Sequence, residues 1–97
     1  TLDFSKALID EGFHPMTMYF PLVVHGAMLI EPTETESKAS LDEFVASLRG
    51  LALAAKKGEV DRFTGAPRSS PVKRLDETQA ARHPVLRHGA REPQAAE

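Results

Sequence analysis

Seven apolar residues, Leu41, Phe44, Val45, Leu48, Leu51, Ala52 and Ala55, recur at steps of three and four along the chain. That period stacks them on one stripe of an α-helix, which has to be buried against something. A helix over residues 41–57 follows, with Leu48 at the centre of the stripe. Ser40 and Glu43 have the spacing of a reciprocal capping box at its start. At its end Lys56 and Lys57 face the negative pole of the helix dipole, and Gly58 supplies the left-handed residue that closes it.

The other elements are shorter. "LDFSKALIDEG" puts Phe4, Ala7 and Leu8 on one face and ends on Gly12, which predicts a helix over residues 2–11. "TMYF" and "GAMLIE", separated by "PLVVH", read as two antiparallel strands, residues 17–20 and 26–31. Pro21 cannot donate to a ladder, so it ends the first strand or places it on an edge. Past Gly58, "EVDRF" has room for one helical turn, "TGAPRSSP" is loop, and "VKRLDETQAAR" offers a short helix before Pro84. Helix, two strands, long helix and tail form too small a set to close a sheet. They read as part of an α+β layer completed by strands from elsewhere. The expected organisation is residues 1–63 as that part-domain, 64–87 as a loop and short helix, and 88–97 as a disordered tail.

Composition removes several classes of function. The chain has no cysteine, so it has no thiolate nucleophile, disulfide or zinc-thiolate site. Residues 1–36 hold one lysine against six acids, while residues 64–97 hold six basic groups against four acids. Neither end interleaves cations with aromatics, so a nucleic-acid platform is not expected. No apolar run approaches a membrane span and no basic-then-apolar leader opens the chain, which makes a cytoplasmic setting the expectation.

Local chemistry is sparse. The histidines at 14, 25, 83 and 88 show no helical pair that would converge on a metal, and none is expected. His14, in "GFHP", is either a loop histidine bonded to a carbonyl or a group presented to a site. The five lysines, 6, 38, 56, 57 and 73, lie in polar stretches or at helix ends, without the desolvation that a covalent-catalytic lysine needs. "MLIEPTETES" sends the chain out of a strand through Glu31, Glu34 and Glu36. Acids ahead of a helix gain about 0.3–1 kcal/mol each from its dipole, a purely local explanation. A paired-carboxylate hydrolase is the sharper alternative, but acids in one turn have no fixed separation.

Taken together, "GFHPMTMYFPLVVHGAMLIEPTETESKASLDEF" resembles the C-terminal part of the glycine decarboxylases that use pyridoxal phosphate, the P-proteins of the glycine cleavage system. The resemblance is best to the second subunit of the two-subunit bacterial form, and "APRSSPVKRLDE" and "ARHPVLR" continue it. Arg68 stands where the family pattern has histidine. The resemblance implies a small C-terminal domain of a fold type I, aspartate-aminotransferase-like enzyme, with short antiparallel strands on a long helix and an extended tail. It implies that the large domain, outside this chain, holds pyridoxal phosphate and its lysine. The implied reaction releases carbon dioxide from glycine and passes the aminomethyl group to the lipoyl arm of H-protein, with P-protein subunit 1 as the other partner. No catalytic or cofactor-binding residue is expected within these 97 residues, and the fragment alone should be inactive. His14 and Thr17 are expected to face the substrate site, with Glu34 and Glu36 ordering its mouth. A free-standing ferredoxin-like binding module without catalysis is the alternative.

Overall fold

A computed structural model describes residues 1–89. The elements, in order, are helix α1 (Leu2–Asp10), strands β1 (Thr17–Met18) and β2 (Met28–Leu29), and helices α2 (Lys38–Lys57), α3 (Val60–Thr64) and α4 (Glu77–Arg82). The arrangement is a small α+β one, as expected, with β1 and β2 antiparallel in the register Thr17 to Leu29 and Met18 to Met28. The expected tail, 88–97, lies outside the described residues except at 88 and 89, which are irregular.

The ends of both α1 and α2 follow from glycine. Gly12 and Gly58 adopt φ of +88° and +82°, where a Cβ would be strained. After α1 the Gly12 N–H donates to Ile9 and Phe13 N–H to Leu8; after α2 the Gly58 N–H donates to Ala55 and Glu59 N–H to Ala54. Each is the paired-bond arrangement that satisfies a helix's last carbonyls and reverses the chain.

The start of α2 differs from expectation. It begins at Lys38, and Ser37 is its N-cap, with the Ser37 side chain accepting from Ser40 N–H at 3.1 Å. Ser40 is therefore inside the helix, its Oγ 3.0 Å from Ser37 Oγ, and no capping box involving Glu43 forms. Two serines three positions apart offered two caps, and the earlier one allows an extra turn of helix-compatible Lys38 and Ala39. The stripe is only partly buried: Leu51 is 1% exposed and Phe44 and Leu48 pack at the edge of the core, whereas Val45, Ala52 and Ala55 are exposed and Ala54, outside the expected stripe, is buried.

The strands are shorter than their β-propensity suggests. Tyr19 turns to φ +63°, a left-handed conformation, immediately after Met18, so the alternation of faces stops there. Its N–H still reaches Ala27 carbonyl at 2.7 Å, and Val24 N–H to Pro21 and Ala27 N–H to Val24 close the loop as successive turns. Tyr19 Oη in exchange accepts from Leu2 N–H at 3.3 Å, fastening the hairpin to the start of α1.

Leu8 and Ala7 of α1, Leu51 and Ala54 of α2, Phe63 of α3 and Ala66 form the core, with the Phe4 and Phe63 rings stacked at 5.9 Å beside it. Truncating one such leucine to alanine typically costs about 2–5 kcal/mol. The loop after α3 is held by charge. Arg74 donates to the carbonyls of Phe63 and Ala66 and pairs with Asp3 at 2.8 Å, so one guanidinium ties the end of α3 to the start of α1. No helix among the described residues is long and apolar enough to cross a membrane.

Candidate functional site

The reversal after α1 sets where Phe13 and His14 go. With Gly12 closing the helix, Phe13 meets Phe44 of α2 edge to face, ring centroids 5.3 Å apart. Such a pair contributes about 0.5–1.5 kcal/mol beyond the area it buries, so it fixes this corner. Above it opens a groove of about 290 Å³, between the 13–16 segment, the turn after β2 and the first half of α2. Phe13, Met16, Leu41 and Phe44 make its apolar floor. His14, Glu31, Glu36 and Ser40 stand around it.

The turn that carries the acids is built locally. Glu36 N–H donates to Thr33 carbonyl at 3.1 Å, the Thr33 and Thr35 hydroxyls bond at 2.7 Å, and Ser37 then caps α2. Glu31, Glu34 and Glu36 are all exposed and make no ion pair among the described residues. Lys38, the nearest cation in sequence, pairs instead with Asp42 one turn along at 2.7 Å. The carboxylates thus remain available to a cationic group, next to the positive end of a 20-residue helix.

Of the four expected site residues, the structure brings His14 and Glu36 into one groove. Thr17 and Glu34 lie outside its lining. For Thr17 the reason is strand geometry: Met16 lines the groove, and the next residue of an extended segment points to the opposite face. Among the other lining residues, Phe44 fits the core stripe, Ser40 fits a cap and Phe13 precedes the more conspicuous His14, so none of these carried a site signal; Glu31 was visible as one of three acids in a turn, without a sign that it shares a groove with His14.

Arg68, at the position where histidine was expected, belongs to a different cluster. Asp10 Oδ1 accepts from Arg68 N–H at 2.6 Å, from Ser69 N–H at 2.8 Å and from Ser69 Oγ at 2.8 Å, while the Arg68 guanidinium donates to Asp61 carbonyl at 2.7 Å. Burial acts to raise the Asp10 carboxyl's pKa. The bonds from Ser69 and Arg68, with the Arg68 charge, outweigh it and hold the carboxyl below its ordinary range. This is a fastening between α1 and the 66–70 loop, reinforced by the Arg62 to Glu11 pair at 2.9 Å.

Comparison with known proteins converges on one family. The family model described as glycine dehydrogenase, C-terminal domain, matches residues 1–74. A probable glycine dehydrogenase (decarboxylating) subunit 2 of Caulobacter vibrioides is 76% identical over 90% of this chain and 17% of its own length. Proteins of the same description from Caldanaerobacter subterraneus and Listeria welshimeri are 54% and 52% identical, over 90% and 91% of this chain and 18% of their own lengths. The chain spans less than a fifth of these curated relatives.

Proposed function

Because the chain belongs to the glycine dehydrogenase C-terminal domain family, we propose that it is the C-terminal portion of subunit 2 of a two-subunit P-protein. In this reading it is part of the small domain of a fold type I enzyme that decarboxylates glycine and passes the aminomethyl group to lipoylated H-protein in the cytoplasm. The observation that carries the reading is the 76% identity maintained over 90% of the chain. The fold is consistent with a part-domain, since two strands are described where a ferredoxin-like module requires four.

The residues described do not themselves fit pyridoxal phosphate. Lys38, Lys56, Lys57 and Lys73 are exposed, Lys6 is half-buried at the surface of α1, and the sequence has no glycine-rich phosphate cradle. The cofactor and its lysine belong, in this reading, to the longer polypeptide, and the present chain forms one wall of the site. Along that wall His14 can hydrogen-bond a substrate carboxylate or hold a proton beside it. Glu31 and Glu36 favour an approaching ammonium group, and Thr17 and Glu34 lie outside the groove's lining.

The test is made in the full-length subunit with its partners. His14→Ala should slow glycine decarboxylation about tenfold, equivalent to ~1.4 kcal/mol of barrier. Cofactor absorbance should be unchanged, since the cofactor is held elsewhere. Undiminished turnover would return His14 to the role of a loop histidine, and loss of the absorbance would make its role structural.

A further inference from the structure

The loop between β1 and β2 shows its apolar side chains to solvent. Leu22 and Val23 are 79% and 92% exposed, and Phe20 and Val24 are about half exposed. Residues 15–30 contain no Asp, Glu, Lys or Arg. The loop is nevertheless a formed structure, with Tyr19 bonded to Ala27, Val24 to Pro21, and Tyr19 Oη to α1. The N–H groups of Tyr19, Val24 and Ala27 bond within the loop while its apolar side chains point out, a formed apolar surface of the kind that marks a contact.

An apolar loop free of Asp, Glu, Lys and Arg suits a permanent contact, whose buried centre is more apolar than the rest of a protein surface. The relatives carry more than four-fifths of their length outside the matched segment, which is a source of a covering surface.

We propose that the loop of Phe20, Leu22, Val23 and Val24 is a docking knob that seats in an apolar pocket of the polypeptide preceding this segment in the full-length subunit. The inference rests on the reading that this chain is part of that subunit. This segment has no cysteine, so Val23→Cys supplies one thiol to it with little change in size. Full-length subunit 2 carrying V23C is treated with a maleimide without subunit 1, and labelling of the peptide containing position 23 is followed by mass spectrometry. Labelling should be at least about tenfold slower in the native protein than in urea, and the protection should survive dilution. Labelling at the unfolded rate overturns the proposal. So does protection that is lost on dilution, which would indicate a second copy, or that appears only with subunit 1 or with lipid vesicles. Glycine decarboxylation by the unsubstituted full-length subunit with its partners tests the functional reading separately. An inactive unsubstituted protein beside a protected V23C thiol leaves the knob standing and removes that reading, while an active one beside a V23C thiol that labels freely removes the knob alone.

Discussion

Asp10 shows how much can depend on one carboxylate at the end of a helix. It accepts three hydrogen bonds from Arg68 and Ser69, far along the chain, and these hold its pKa below the ordinary value despite partial burial. A carboxyl with a depressed folded-state pKa contributes stability above its unfolded value, about 3.9, and that contribution is lost as pH falls through the lower folded value. Asp10→Asn should therefore lower the urea midpoint at pH 7, and the gap from the parent should narrow below about pH 4. A gap that stays constant with pH would show that the carboxylate's charge contributes nothing to the fastening. Little of the clamp was legible in the sequence. Asp10 reads as an ordinary residue of an amphipathic helix, and its partners lie more than fifty positions away. The departure at Arg68 was visible, but the backbone N–H that matters there belongs to any residue except proline.

The caps show which element boundaries a sequence can locate. Gly12 and Gly58 announced their helix ends because a left-handed terminal residue strongly favours glycine. The start of α2 was misplaced because Ser37 and Ser40 are equally good caps in isolation, and only the geometry, with Ser37 accepting from Ser40, separates them. In a synthetic peptide spanning residues 35–59, Ser37→Ala should cost about 1 kcal/mol of helix stability by circular dichroism and Ser40→Ala clearly less. The reverse order would put the helix start back at residue 41. The strands were overextended for a related reason. Tyr19, Phe20 and Ile30 do favour β-structure, but Tyr19 leaves the β region to fasten the hairpin onto α1, a contact no local preference encodes.

At the scale of the whole molecule, the groove and the exposed knob share one explanation. α1, α2 and α3 close a small core around Leu8, Leu51 and Phe63, and in the proposed reading the groove and the knob both face the rest of a longer subunit. Family membership was legible in one uninterrupted stretch, from Gly12 to Phe44, and so were His14 and Glu36. Their convergence on a floor of Phe13 and Phe44 was not, because it depends on how α1 reverses against α2. In the proposed function this chain supplies one wall of a glycine-decarboxylating site whose cofactor is held by the rest of a longer subunit. The most direct test measures pyridoxal phosphate absorbance and carbon dioxide release from labelled glycine, with lipoylated H-protein and subunit 1 present, for the 97-residue chain and for full-length subunit 2 side by side. Absorbance and carbon dioxide release are expected from the full-length protein, and neither from the chain alone. A cofactor-bound, active chain, or a full-length protein inert toward glycine, would contradict that proposal.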